Sequence, residues 1–212
     1  IISQKKVFYI SSKNKLNGTN SSFDYKLDIP PNTDYDYAVV LQMSIPKSYY
    51  IIGSNSSFTL DEGTTATITI PEGNYNQRSL KTVLQTQLNN NSPNGWSYTV
   101  TYPSSSIRAD TGKYSFSVSG NTSQPSFIFT NKLYEQLGFN KNSTNTFLGD
   151  SLTSTNTINL NKETTLFLHS DLVTNAGDNI LQEVYTVGNS SFSSIKYQCT
   201  EIEGYSKDIV TN

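Results

Sequence analysis

The stretch IPEGNYNQRSLKTVLQTQLNN, residues 70–90, decides the fold because it interrupts a chain that otherwise looks strand-like. TTATIT, residues 64–69, precedes it, and GWSYTVTY, residues 95–102, follows it; both are rich in alternating β-branched or aromatic residues. Apolar residues inside the stretch recur at helical spacing and form one stripe: Leu80, Val83, Leu84 and Leu88. With Asn76 as N-cap, this pattern predicts an amphipathic helix lying across an edge or end of a sheet.

Most of the remaining chain alternates apolar and polar residues, a period of two that is typical of half-buried strands. In SFDYKLDI, residues 22–29, one face carries Phe23, Tyr25, Leu27 and Ile29. Further strands are predicted at residues 37–46, 57–60, 65–70, 96–102, 113–120, 126–130, 164–170 and 179–187. Many short strands without repeating helices indicate an antiparallel sandwich, because a parallel sheet requires crossover helices.

Two segments between the later strands have a different pattern. Residues 131–139 place leucines four apart and end near Gly138, which predicts a second short helix with glycine at its C-terminal end. The following residues 140–161 are rich in Asn, Ser and Thr, and we interpret them as one long surface loop. The expected fold is therefore all-β with one or two short helices.

Composition favours one domain and excludes several classes of partner. A chain of 212 residues with 34% apolar content can bury one substantial core, so residues 1–212 are expected to form a single domain. A net charge of −2 gives no general attraction to phosphate, which disfavours direct nucleic-acid binding. No apolar run approaches the ~20 residues of a membrane-spanning helix. The single Cys199 cannot form an intrachain disulfide.

Charged residues make up only 15% of the chain, so amides and hydroxyls must cover much of its surface. An A- and T-rich coding sequence would produce this composition. The alternative is a surface that packs against copies of itself, because neutral polar groups and tyrosine cost less to desolvate than Lys or Glu. Composition leaves both explanations open.

Catalytic and metal-binding chemistry is not supported by the residue pattern. His169 is the only histidine, and its neighbours Ser170 and Asp171 would point to alternate faces of a strand, so the three cannot form a triad. Cys199 then lacks a base and is interpreted as a structural residue. The candidate cation ligands lack the spacing of an EF-hand loop: Asp150, Asp171, Asp178 and Glu183. No Walker-type phosphate loop is present. We predict no enzyme activity, cofactor or metal site.

The order of several features resembles the penton proteins of virophages and Polinton-like double-stranded DNA viruses. A strand closes in IPKSYY, residues 45–50, and the next strand contains FTL at residues 58–60. The pattern I-x-I-P-x-G-N-Y at residues 68–75 then leads into the leucine helix. LYEQLGF at residues 133–139, SDL at 170–172 and ILQEV at 180–184 follow. The resemblance covers most of residues 23–187, and no feature beyond Tyr197 contributes to it.

The resemblance implies a single jelly-roll capsid domain of about eight antiparallel strands. Residues 198–212 lie outside it, and the native chain can extend beyond both ends. Such proteins form homopentamers at the five-fold vertices of the icosahedral virion, are made in the host cytoplasm and contact a double jelly-roll major capsid protein. The helix from Asn76 to Leu88 would be a structural connector between strands. Gly73 would permit a sharp turn before it, and Tyr75 would pack at its start.

A homopentameric ring requires unlike flanks of neighbouring subunits to meet. We predict that Tyr49, Tyr50, Ile51 and Ile52 contribute to this interface, because they place four bulky groups beside a strand end. The alternative is a carbohydrate-binding or receptor-attachment β-sandwich, whose aromatic platform could use Tyr49 with Tyr50 or Tyr98 with Tyr102. A cupin-type enzyme is a further alternative, but it would hold its metal with several histidines.

Overall fold

A computed structural model of the chain describes residues 5–31, 33–102, 111–160, 164–173, 179–186, 188, 192–201 and 206–209. Strands predominate over helices in these ranges, which confirms the all-β prediction. The strands are β1 (Asn17–Gly18), β2 (Phe23–Asp24), β3 (Tyr37–Ala38), β4 (Gln42–Pro46), β5 (Ser57–Asp61), β6 (Thr65–Thr69), β7 (Ser97–Thr101), β8 (Ser115–Ser119), β9 (Ser126–Ile128), β10 (Thr144–Thr146), β11 (Ser151–Thr153), β12 (Thr165–His169), β13 (Ile180–Tyr185), β14 (Ser194–Gln198) and β15 (Lys207–Asp208). The helices are α1 (Gln77–Asn91) and α2 (Leu133–Leu137).

The strands are shorter and more numerous than the alternation pattern predicts. Fifteen strands lie in the described ranges, of which eight have five or six residues. The strand predicted over residues 22–29 shrinks to β2, because backbone pairing with β1 ends at Asp24. The strand predicted over residues 37–46 divides into β3 and β4, because these two pair with different strands, β15 and β14. The alternation of apolar and polar residues predicts which face of a strand is half-buried, but it does not predict where the chain changes from one pairing strand to another.

The backbone contacts of the chain form two compact units. Unit 1 comprises Ile1–Met43, Leu166–Val184 and Lys196–Asn212, and unit 2 comprises Ser44–Thr165 and Tyr185–Ile195. The prediction of one domain over residues 1–212 stays a prediction.

Unit 2 contains a two-sheet sandwich. One sheet has the strand order β10-β9-β5-β6 and the other β11-β8-β7, and all neighbouring strands in both are antiparallel. The sheets face each other through aromatic side chains: Phe116 of β8 meets Phe127 of β9 edge-on, with 5.1 Å between ring centroids. Further rings extend this core, and Phe127 also packs edge-on against Phe147 at 5.2 Å.

The interpretation of residues 140–161 as one surface loop is wrong. This run contains β10, which pairs with β9, and β11, which pairs with β8. Phe147 lies between the two strands and is completely buried in the core of unit 2. Its backbone N–H donates to the carbonyl of Pro125 at 3.0 Å. The chain therefore crosses from one sheet to the other here, and a backbone ladder forms although the side chains are mostly polar.

Unit 1 is built from small pairings. β1 pairs with β2 and β15 with β3, both antiparallel, and β12 and β13 form another two-stranded sheet. Among the described residues of unit 1, Val173 and Val184 are the only fully buried hydrophobic side chains. A further two-stranded sheet joins β4 and β14. In the described part of the chain, neither helix has the length and apolar character needed to cross a membrane.

Candidate functional site

Helix α1 is held at both ends and along one side, as its sequence predicts. The Asn76 side chain accepts hydrogen bonds from the backbone N–H groups of Arg78 and Ser79, while Ser79 Oγ reciprocates at the Asn76 backbone. The stripe residues Leu80, Leu84 and Leu88 are completely buried, and Val83 is partly buried against the same core. The connector helix is thus a structural element of unit 2.

Helix α1 also covers a sheet edge, and it does so with amide side chains. It packs against β6 and β7, which are edge strands of the two sheets. Asn89 accepts from the Tyr98 N–H at 2.6 Å and donates to the Tyr98 carbonyl at 2.9 Å. Gln85 accepts from the Val100 N–H at 3.0 Å. These bonds occupy the outer backbone groups of β7 and prevent that edge from pairing with another strand.

The residues 49–52, predicted as an interface, are tied to the loop before α1. Backbone bonds link Ile52 and Gly73 in both directions at 2.9 and 3.0 Å. The Asn74 side chain accepts from the Ile51 N–H at 2.9 Å, and Gln136 of α2 donates to the Ile51 carbonyl at 2.6 Å. The backbone of this segment is therefore fixed from two sides.

The four side chains of this segment have different environments. Ile52 is 0% exposed, so it belongs to the core of unit 2 and cannot make the surface contact predicted for it. Tyr50 is 47% exposed and meets the ring of Phe192 edge-on at 6.3 Å. Tyr49 and Ile51 are half-buried, and the Tyr49 hydroxyl is buried without a hydrogen bond to the described residues. Tyr50 is the member of the set that presents most surface.

Gly73 and Tyr75 have specific roles at the start of α1. A Cβ at Gly73 would lie 3.3 Å from the Tyr75 ring, so a larger residue there would require a small shift of that ring. The Tyr75 hydroxyl donates to the Pro71 carbonyl at 2.8 Å, which closes the loop, and partial burial raises the pKa of this phenol. The Tyr75 bond fixes the loop at the start of α1, whereas Gly73 pairs with Ile52 in an antiparallel bridge and the sharp turn predicted there stays a prediction.

A buried carboxylate, which sequence reasoning missed, organises the other end of α1. Glu62 is 3% exposed. It accepts hydrogen bonds from Ser92 Oγ at 2.7 Å, the Tyr98 hydroxyl at 2.7 Å and the Asn94 N–H at 2.8 Å. Burial, followed by the hydrogen bond to Glu62 and its charge, raises the pKa of Tyr98 far above its ordinary value. Three donors satisfy the carboxylate, so the cluster acts as a structural link between the β5–β6 turn, α1 and β7.

No sequence signal distinguishes Glu62 from the other carboxylates. It stands in DEG, residues 61–63, which reads as an ordinary polar turn. Its donors come from residues 30 to 36 positions away. These donors meet at Glu62 only because the sandwich brings distant segments together. The periodicity of the sequence therefore cannot predict their meeting.

The candidate catalytic and metal-binding residues are not brought together. His169 is exposed at the end of β12, and the adjacent Asp171 is exposed too. Cys199 is partly buried and forms no disulfide. Asp150 and Glu183 are exposed, and Asp178 lies outside the described residues. Within the described ranges, no three His, Cys, Asp or Glu side chains are placed to hold a metal ion.

One of the two predicted aromatic pairs, Tyr98 with Tyr102, packs in or against the core of unit 2. Tyr98 is 1% exposed, and its ring packs edge-on against Phe147 at 6.1 Å. Tyr102 packs against Tyr114 at 5.5 Å, and burial together with Tyr102 raises the pKa of Tyr114 above its ordinary value. The Tyr98–Tyr102 pair therefore cannot form a stacking surface for a sugar.

Large exposed apolar side chains are concentrated in unit 1. Of the twelve in the described residues, eight belong to unit 1: Val7, Tyr9, Ile10, Leu16, Ile29, Tyr37, Leu41 and Phe167. Unit 2, by contrast, buries its apolar residues in one cluster. The two units thus differ in how completely they bury their own hydrophobic side chains.

Comparison of the chain with protein-family models, with curated proteins and with solved structures finds no match in any of the three. The features that bear on function are therefore geometric. They are a closed, aromatic sandwich in unit 2, a fixed segment that presents Tyr50, and a unit 1 whose apolar side chains are largely exposed.

Proposed function

We propose that the protein is a structural capsid subunit, a single jelly-roll that forms the homopentameric penton at the five-fold vertices of an icosahedral double-stranded DNA virus or virophage. The two-sheet sandwich of unit 2 supports this proposal, because its strands are antiparallel and its sheets share one core. The remaining strands would complete the jelly-roll. The penton family is proposed because the order of motifs along residues 23–187 resembles that of penton proteins.

The observation that carries the proposal is the exposed apolar surface of unit 1. Taking about 150 to 200 Å² for a fully exposed side chain of this size, the eight exposed groups present roughly 700 to 900 Å². One partner in a standard protein interface contributes about 800 Å². An apolar patch of this extent would mark an interaction site if its groups adjoin one another on the surface. A subunit whose product is an assembled shell requires such surfaces on every copy.

The closed edge of unit 2 fits the same role. α1 covers the β7 edge, which limits uncontrolled strand pairing there. Contacts between subunits would then be restricted to surfaces other than the β7 edge. A ring uses a heterologous interface in which one flank meets the opposite flank of the next copy. Tyr50 with Phe192 is a suitable flank element, because both rings are exposed beside a rigid segment.

The proposal includes the partners and location of a penton. The subunit would contact a double jelly-roll major capsid protein in the virion after synthesis in the host cytoplasm. It requires no catalysed reaction and no cofactor. A carbohydrate-binding role has less support, because Tyr98 lies in the core and the Tyr49 hydroxyl is buried.

Imaging of intact particles tests the proposal directly. The expected result is density for this fold at the five-fold axes, with contacts to the surrounding capsomers. Absence of the chain from the shell would end the proposal.

A solution experiment tests the flank. We expect Tyr50→Ala to weaken pentamer formation in native mass spectrometry, because it deletes the ring that Phe192 contacts. Leu148→Ala is the matched control, since Leu148 is 82% exposed in unit 2 and lies outside the predicted interface. Equal pentamer fractions for both variants and the wild type would remove Tyr50 from the interface.

A further inference from the structure

Residues 5–16 form a segment with an unusual combination of properties, which we call the arm segment. VFYI at residues 7–10 contains four residues that favour β-strands. Val7 is 55% exposed, Tyr9 88% and Ile10 56%, and Leu16 at the end of the segment is 70% exposed. A run of this composition would ordinarily be buried in a sheet, so its exposure requires an explanation.

The arm segment lies beside residues 25–29 without a backbone ladder. The Lys6 ammonium donates to the Asp28 carbonyl, and the Tyr25 hydroxyl donates to the Tyr9 carbonyl at 3.2 Å. In the part of the chain that the structure describes, residues 5–10 make no backbone-to-backbone hydrogen bond. Apart from the Tyr9 carbonyl, which the Tyr25 hydroxyl contacts, their N–H and C=O groups are therefore available to another strand, which is the condition for strand addition.

The charge of the arm segment is opposite to that of the rest of the chain. Residues 1–15 contain Lys5, Lys6, Lys13 and Lys15 and no acidic residue, a charge of +4. Since the whole chain carries −2, residues 16–212 carry −6. An arm of one copy is therefore attracted to the body of another copy, while two bodies repel each other. This complementarity identifies a second copy of the chain as a suitable partner.

We propose that the arm segment joins copies of this protein, with residues 5–10 of one copy adding as a strand to a sheet edge of a second copy. The added strand satisfies its backbone groups and buries Val7, Tyr9 or Ile10 on the partner. On the same area per side chain, the four exposed apolar groups of the segment present roughly 400 to 540 Å², at least half of the ~800 Å² that one partner contributes to a standard interface. This inference rests on the proposed function, because it names a contact by which subunits assemble.

Nucleic acid is the other chemistry that a basic segment could attract, and the contacts favour protein instead. Val7, Ile10 and Leu16 contribute nothing to phosphate recognition. All four ammonium groups keep their charge, but two are held against their own chain: Lys6 donates to the Asp28 carbonyl, and Lys15 to the Ser12 carbonyl and Asn20. The segment thus presents four exposed apolar side chains, but only two of its ammonium groups, those of Lys5 and Lys13, make no hydrogen bond in the described residues.

The test compares the self-association of the full chain and its variants by sedimentation velocity over a micromolar range. The double substitution Tyr9→Ser with Ile10→Ser removes the apolar contact and is expected to weaken association about tenfold or more, equivalent to at least 1.4 kcal/mol. Leu148→Ser is the control, because it removes an equally exposed apolar group from unit 2. Fluorescence of Trp96, which lies in the core of unit 2, checks that each variant is folded.

A second variant keeps the test informative if the serine variant fails to fold. Lys5→Glu with Lys13→Glu reverses two exposed charges that make no side-chain hydrogen bond in the described residues. Association should weaken in this variant. In the wild type it should also weaken between about 0.05 and 0.5 M NaCl, because salt screens the attraction.

The outcomes separate this inference from the proposed function. Wild-type association in both arm variants would overturn the arm contact while leaving the penton proposal intact. A wild-type chain that stays monomeric throughout would also overturn the arm contact, and particle imaging would still decide the penton proposal. If the chain binds a 30-base single-stranded DNA through the arm segment and does not self-associate, the partner of the arm segment is nucleic acid and not a second copy.

Discussion

Tyr98→Phe tests whether the Glu62 cluster holds unit 2 together. The substitution keeps the ring, including its edge-on contact with Phe147, and deletes only the hydroxyl. That hydroxyl donates to Glu62 at 2.7 Å, and the remaining donors are Ser92 Oγ and the Asn94 N–H. Because Glu62 is 3% exposed, water cannot easily replace the lost donor.

The expected magnitude follows from the charge and the burial of the acceptor. A hydrogen bond to a charged group contributes about 1.5 to 3 kcal/mol, and leaving part of a buried carboxylate unsatisfied adds its desolvation cost. We expect the free energy of unfolding to fall by about 2 to 3 kcal/mol. For a chain of this size, that corresponds to a decrease in Tm of roughly 4 to 12 °C.

Tyr49→Phe is the matched control, because it deletes a buried hydroxyl that makes no hydrogen bond with the described residues. It should leave stability unchanged or raise it by up to about 1 kcal/mol. Urea unfolding followed by the fluorescence of Trp96, the single tryptophan, reports on the right region, since the backbone N–H of Trp96 donates to Ser92 Oγ at 2.8 Å. A Tyr98→Phe midpoint equal to wild type, or equal losses in both variants, would refute the assignment of Glu62 as a structural link.

Three further predictions concern the same unit. Leu84→Asp places a charge at a completely buried position and should leave no soluble folded protein; unchanged solubility and melting would refute the buried stripe. Gly138→Ala should lower stability by about 1 to 3 kcal/mol in thermal unfolding, because φ is +77° and the new Cβ would collide with the Asn156 carbonyl; a wild-type Tm would contradict this geometry. Burial raises the pKa values of Tyr98 and Tyr114, so the folded state keeps protons that the unfolded chain releases above pH ~10. Stability should therefore fall as the pH rises above about 10, and a urea midpoint that stays unchanged on going from pH 9 to pH 11 would contradict this prediction.

Much of the local structure is predictable because it depends on residues close in sequence. The start of α1 at Asn76 and its buried leucine stripe are found as expected, as is the glycine that ends α2. The positions of β5, β6, β7 and β8 also match the alternation pattern. Capping, helical spacing and strand alternation are short-range properties, so a window of a few residues contains them.

The candidate site was only partly predictable. Residues 49–52 do form a fixed segment with an exposed Tyr50, but complete burial removes Ile52 from the predicted surface. Alternation cannot distinguish a residue facing solvent from one beneath a neighbouring loop. The Asn74 and Gln136 side chains that fix this segment come from different parts of the chain.

The amino-acid sequence alone determined that this protein is built from short strands with two helices, because each element depends on its own side chains. The tertiary structure alone decided which strands pair, how residues 140–161 enter both sheets, and where the Glu62 carboxylate finds its donors. Backbone hydrogen bonds are chemically alike at every residue, so the choice of partner depends on the packing of distant side chains into one core. The exposure of the arm segment is also a tertiary property, since its strand-forming residues 7–10 have no backbone hydrogen-bond partner among the described residues.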